Sequence, residues 1–135
     1  SKILIRNNTF NNTQLWGIFL ASSFNKEDGN IEKASILIQR NEINPLKGNG
    51  IAGSRISGVE MIDNIITMKS EISSRNFAVL FTSSEYLKVF GGRISDLREA
   101  IPSVISIRTK TPESIDIKDV EIIKQQNVDD YQIVR

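Results

Sequence analysis

The sequence predicts an all-β solenoid of about five coils, a single domain over residues 1–135. Three observations carry that expectation. An apolar-x-apolar triplet recurs, followed three residues later by a corner position and two after that by another apolar residue: Ile3-Leu4-Ile5 with Asn8 and Phe10, Ile36-Leu37-Ile38 with Asn41 and Ile43, and Val59-Glu60-Met61 with Asn64 and Ile66. Leu87-Lys88-Val89 with Ile94 and Ile115-Asp116-Ile117 with Ile122 keep the frame, with Gly92 and Val120 at the corner. The copies start at 3, 36, 59, 87 and 115, so the steps are 33, 23, 28 and 28 residues, a spacing that marks stacked repeats. Within each copy, apolar residues recur at two rather than at three and four, which is the strand period.

Taken in order, each copy supplies three strands. The triplet is the first and the residues around Phe10, Ile43, Ile66, Ile94 and Ile122 the second. A third recurring run begins nine residues after the corner at Gly17 to Ser22 and at Gly50 to Ser54. Its later versions are Ala78 to Ser83, Val104 to Ile107 and Tyr131 to Val134. Alternation places Ile36, Ile38, Ile43 and Ile51 inside, with their equivalents one repeat away stacked about 4.8 Å along the axis. β-Branched side chains suit such a wall because their stiff χ1 packs well on a pleated surface. Between the strands, Ser22 to Lys33 reads as a turn-rich excursion around Asn25-Lys26-Glu27-Asp28-Gly29-Asn30. Asp96 to Ala100 reads as one helical turn, capped by Ser95 or Asp96 and ended by Pro102. Thr109 to Ser114 reads as a smaller loop. Both chain ends fall inside strand patterns without amphipathic caps. Solenoid ends expose apolar surface and strand edges, so the expectation is a segment of a longer chain or a protomer covered by neighbours.

Composition narrows the chemistry. With no cysteine and no histidine, disulfides, thiolate or imidazole metal sites and the Ser-His-Asp triad are excluded. Catalysis would fall to carboxylates, Lys, Arg or Tyr, and no cofactor or metal is expected. A net charge of +1 makes no case for nucleic acid or an anionic membrane as partner. No run of about 18 apolar residues is present to span a bilayer.

The repeat resembles the right-handed parallel β-helix of the pectin-lyase-like superfamily, over nearly the whole chain. Asn8, Asn41 and Asn64 match that family's asparagine ladder; asparagine suits the slot because it tolerates a left-handed backbone and bonds locally. Gly92 is an easy substitute and Val120 departs from the pattern. The resemblance implies a fold and leaves the activity open, since the family hosts lyases, hydrolases, isomerases, viral spikes and adhesins. It also implies a site on the outer face of the strand starting at Gly17, whose outward positions are Phe19, Ala52, Leu80 and Ser106. None of these is a carboxylate.

The candidate site residues follow. Glu71 and Asp96 occupy comparable loops one coil apart and are the weak choice for a catalytic acid pair, as a polysaccharide lyase or glycoside hydrolase would need. Arg55, Arg75 and Arg108 are candidates for gripping a glycan, Arg55 and Arg108 as forks for a sugar carboxylate. Trp16 and Phe19 are candidates for stacking on a sugar ring. The plain alternative for the charges is a solvated rim, and for the aromatics packing against a loop or subunit. Outward Leu4 and Leu37, with Ile62 and Phe90, suggest a homo-oligomer, specifically a trimer, unless further coils of the same polypeptide cover them. The expected function is binding, with or without depolymerisation, of cell-surface polysaccharide by an extracellular or virion-associated protein of phage tailspike type. The alternatives are the C-terminal portion of a monomeric pectin-lyase-like lyase or hydrolase, and a β-helical stalk with no ligand.

Overall fold

The computed structural model describes residues 2–22 and 30–135. Of the excursion expected over Ser22 to Lys33, residues 23–29 lie outside the described residues, and Glu32 and Lys33 already belong to a strand. Three parallel sheets, each of five strands, make up the fold. The first holds β1 (Ile3–Arg6), β4 (Glu32–Gln39), β7 (Ile56–Ile62), β10 (Glu85–Phe90) and β13 (Ile115–Lys118). The second holds β2 (Thr9–Thr13), β5 (Glu42–Pro45), β8 (Ile65–Met68), β11 (Arg93–Asp96) and β14 (Glu121–Lys124). The third holds β3 (Trp16–Ala21), β6 (Asn49–Ser54), β9 (Val79–Thr82), β12 (Ser103–Arg108) and β15 (Asp129–Val134). Each sheet thus takes every third strand in chain order, the arrangement of a parallel β-solenoid.

The register is the one the repeat predicts. Ile3, Ile36, Val59, Leu87 and Ile115 pair in succession along the first sheet, and Ile5, Ile38, Met61, Val89 and Ile117 two positions on. In the third sheet the inner row Leu20, Gly53, Phe81, Ile107 and Ile133 shows how side-chain volume is matched between repeats. A Cβ on Gly53 would collide with the Phe81 ring, so the glycine makes room for the largest fully buried side chain. Inward residues of the middle repeats, Ile38, Ile43, Val59, Phe81, Leu87 and Ile105 among them, are fully buried. Those at the two ends of the stack are less so, and Ile3 is 50% exposed. The core also takes in Ile72, Ile101 and Val128 from the corners, which strand alternation does not reach.

Two local expectations are corrected. The left-handed residue at each corner is the one before the asparagine: Asn7, Arg40 and Asp63 have φ of 58°, 53° and 54°, and Asp119 precedes Val120 with 57°. Asn8, Asn41 and Asn64 contribute through their side chains instead. Asn41 Oδ1 accepts from the Asn8 backbone N–H at 3.0 Å and from Asn8 Nδ2 at 3.2 Å. Asn64 Oδ1 does the same for Asn41, at 3.0 and 3.1 Å. Asn41 Nδ2 and Asn64 Nδ2 then donate to the carbonyls of Ile5 and Ile38, each at 2.9 Å. The series stops at Gly92, which has no amide to extend it. Second, residues 97–102 form no helical turn. Asp96 ends β11 and its carboxylate is held by Arg98, so it is not free to cap a helix. The smaller loop does contain a 3₁₀ turn, Pro112–Ser114.

Candidate functional site

A concavity lies where the chain passes from the second sheet to the third. The corner loops there are unequal: two residues between β2 and β3, three between β5 and β6, ten between β8 and β9, and six between β11 and β12. The two short corners make a low floor, and the long loop 69–78 stands over it as a wall. A cleft of about 550 Å³ results, with Trp16 and Leu15 on the floor and Lys47, Asn49, Glu71 and Asn76 around it.

Each short corner is fixed by backbone bonds to its neighbour. The N–H groups of Leu46 and Lys47 donate to the Thr13 carbonyl at 2.9 and 3.1 Å, and Asn49 N–H donates to the Leu15 carbonyl at 2.9 Å. Gly48 has φ of 81° and passes so close to Leu15 that any Cβ would collide with its carbonyl oxygen, so only glycine fits there. Asn49 Oδ1 accepts the Phe77 N–H at 2.7 Å, tying the long loop to β6.

The wall is anchored from the far side. Arg98 donates from Nε and Nη2 to the two carboxylate oxygens of Asp96 at 2.8 and 2.7 Å. Its Nη1 reaches the carbonyls of Ser73 at 2.8 Å and Ile72 at 3.4 Å. Asp96 is 0% exposed and Arg98 is buried with it. A forked, charge-assisted pair of this kind is both strong and directional. Ile72 and Ser73 line the Trp16 cleft, and Ile72 also lines a second cleft of about 390 Å³ beside Glu99 and Leu97. The two hollows therefore follow each other along the stack of repeats, separated by one clamped strand of loop.

Trp16 and Phe19 are stacked, with ring centroids 4.3 Å apart and planes 20° apart, and they are 38% and 43% exposed. The Trp16 ring keeps open surface in the cleft, which is how an aromatic meets a ring-shaped ligand, whereas Phe19 lines a separate hollow with Ile3, Ala21 and Lys33. Glu71 is exposed on the cleft wall and receives the Ser70 hydroxyl at 3.1 Å. Asp96 faces away from solvent and both its oxygens are occupied, so the suggested Glu71–Asp96 acid pair does not assemble. Among the residues lining the Trp16 cleft, Glu71 is the one carboxylate. Arg75 sits exposed on the long loop, outside the cleft lining, its N–H bonded to Ser73 Oγ at 3.3 Å. Arg55 and Arg108 lie at the opposite, C-terminal end of the third sheet, where Arg108 Nη1 donates to the Arg135 carbonyl at 3.4 Å. The three arginines are thus split between the two ends of one sheet.

The outer row of the third sheet runs Phe19, Ala52, Leu80, Ser106 and Gln132. Ala52 and Ser106 are buried, and Gln132 Nε2 donates to Ser106 Oγ at 2.9 Å. On the first sheet the outward apolar pairs are short: Leu4 and Leu37 are continued by Glu60, Lys88 and Asp116, and Ile62 and Phe90 by Lys118. Lys88 and Lys118 lie 5.9 and 5.8 Å from the Phe90 ring centroid, a cation–π sandwich that uses that face locally.

Asn49 and Asn76 were not among the sequence candidates. A signal for Asn49 exists: Trp16 precedes Gly17 as Asn49 precedes Gly50, and the two pair in register. Comparison with protein-family models, curated proteins and solved structures finds no match to this chain.

Proposed function

We propose that the chain binds cell-surface polysaccharide, with the Trp16 cleft as its contact surface. The observation that carries this is the cleft itself, an open hollow floored by Trp16, whose outer neighbour Phe19 stacks on it, and rimmed by Asn49, Asn76, Lys47 and Glu71. An aromatic face takes the apolar side of a sugar ring, while amides and charges placed around it bond the hydroxyls. Enzymatic cleavage by two carboxylates draws less support, since Asp96 is spent on Arg98 and a pair of free carboxyls is needed. The reading is therefore of a binding module.

The finer fold reading belongs to the same proposal: five coils of right-handed parallel β-helix, with Asn8, Asn41 and Asn64 as its asparagine ladder, in an extracellular or virion-borne protein of tailspike type. The sheet order and the serial asparagine hydrogen bonds support it. Trimeric assembly is part of that picture, and light scattering tests it: a species near three times 15.2 kDa is expected. Binding is tested by affinity electrophoresis through gels containing bacterial surface polysaccharides. Retardation of the wild-type chain, lost in Trp16→Ala, is the expected result. Equal mobility of both in every gel would remove the cleft as a glycan site.

A further inference from the structure

The charges around the groove bear on which glycan it takes, an inference that rests on the glycan-binding reading above. Recognition of a polyuronate or a sialylated chain requires cations in the groove, because each sugar carboxylate must exchange its water for a charge-assisted partner. The groove offers few. Arg98, the one guanidinium lining it, is buried and forked onto Asp96, with its remaining reach taken by the Ser73 and Ile72 carbonyls. Lys69, the first residue of the long loop, donates to Asn12 Oδ1 at 3.1 Å. Lys47 is the one cation left on the lining of the two hollows, and it is matched there by Glu71 and Glu99. Arg55 and Arg108, the natural carboxylate forks, stand at the other end of the third sheet.

Beyond that one cation and its two matching carboxylates, the groove presents uncharged groups: the Trp16 ring, the amides of Gln14, Asn49 and Asn76, and the hydroxyls of Ser70 and Ser74. These groups accept and donate single hydrogen bonds, the complement of sugar hydroxyls and acetamido groups. The corners that carry them belong to three successive repeats, roughly 10 Å of axis at the strand spacing, so the groove accommodates about two sugar units in a row.

We infer that the ligand is a neutral polysaccharide, built of hexose or N-acetylhexosamine units, lying along the solenoid axis from Trp16 toward Glu99, and that acidic glycans are not its substrate class. The test is direct binding of the chain to malto-, cello- and chito-oligosaccharides and, at equal length, to oligogalacturonate and oligosialate, at low and high salt. Trp16→Ala and Trp16→Phe are run alongside, with circular dichroism to show that each is folded. Binding confined to one or more neutral series, indifferent to salt, weakened about tenfold or more in Trp16→Ala and retained in Trp16→Phe, is the expected outcome. Trp16-dependent binding of an acidic series, falling with salt as exposed ion pairs do, would overturn the neutral assignment and leave the glycan site standing. Binding of neither class, or binding untouched by Trp16→Ala, would overturn the site and the assignment together.

Discussion

Removing the Asp96 carboxylate is the sharpest perturbation of this structure. In Asp96→Ala, Arg98 stays buried with a full charge and keeps only the carbonyls of Ser73 and Ile72. Its two best bonds, at 2.8 and 2.7 Å, are gone, and no water-exposed route relieves it because the side chain is 4% exposed. Breaking a buried pair from one side costs about 3–5 kcal/mol. For a domain of this size that is a fall in Tm of roughly 10–20 °C. Arg98→Ala leaves the carboxylate in the same position and two loop carbonyls without a donor, so a loss of similar size is expected. The double variant Asp96→Ala/Arg98→Ala removes both charges and costs less than the sum of the singles, by about 2 kcal/mol or more. Urea unfolding of the wild type and the three variants measures all of this, provided the slopes agree. Single-variant losses below about 1 kcal/mol, or strict additivity, would show that the pair is solvated and that the wall of the Trp16 cleft is held by something else.

The remaining expectations come from other parts of the stack. Gly53→Val drives a branched side chain into the Phe81 ring and should cost about 1–3 kcal/mol by overpacking, partly recovered by Phe81→Leu in the same chain; urea midpoints decide it. Asn41→Ala strips partners from the Asn8 N–H, the Ile5 carbonyl and Asn64 Oδ1 inside the stack. Its loss should be about 2–4 kcal/mol, against less than about 1 kcal/mol for the outermost member in Asn8→Ala, again by denaturation. Gly48→Ala adds a Cβ where the Leu15 carbonyl stands and strains a left-handed residue, so it should weaken glycan retardation in affinity gels while shifting Tm by only a few degrees.

The register was legible in the sequence because it is written twice. The triplets fix the first sheet, and the glycine or alanine opening the first three of the third-strand runs fixes the third sheet independently, so a slip of one residue would expose Ile38 or Phe81 and bury Lys88 or Glu60. The corners were read one residue late for an identifiable reason. Intrinsic preference assigns a left-handed backbone to asparagine, yet Arg40 and Asp63 take it here, and Asn41 and Asn64 sit beside them in ordinary conformation with their amides bridging repeats. The strain of the corner is thus carried by one residue and offset by hydrogen bonds from the next. Neither residue shows that division alone.

The candidate site was only partly legible, and the cause lies in the loops. Trp16 and Glu71 were nominated separately, but what joins them is the difference in length between adjacent corners. Repeats of equal length would stack their corners flush and leave a smooth edge. Here ten residues between β8 and β9 follow corners of two and three, so the excess chain must leave the stack and overhang its neighbours. Such a loop has no strand ladder to hold it, and surface loops of this length are ordinarily the loosest part of a fold. The buried Asp96–Arg98 clamp supplies the missing order by binding the Ile72 and Ser73 carbonyls from the next repeat. Asp96, chosen from the sequence as an acid for chemistry, is better understood as the counter-charge that lets a guanidinium be buried under the wall. A residue whose type suggests catalysis thereby acts on the site at one remove, by fixing where Ser73 stands opposite Trp16. If that is its role, the neutral variant Asp96→Asn, which retains the shape and one acceptor for Arg98, should keep more glycan affinity than Asp96→Ala at a temperature where both are fully folded. Equal affinity of the two folded variants and the wild type would separate the clamp from the site.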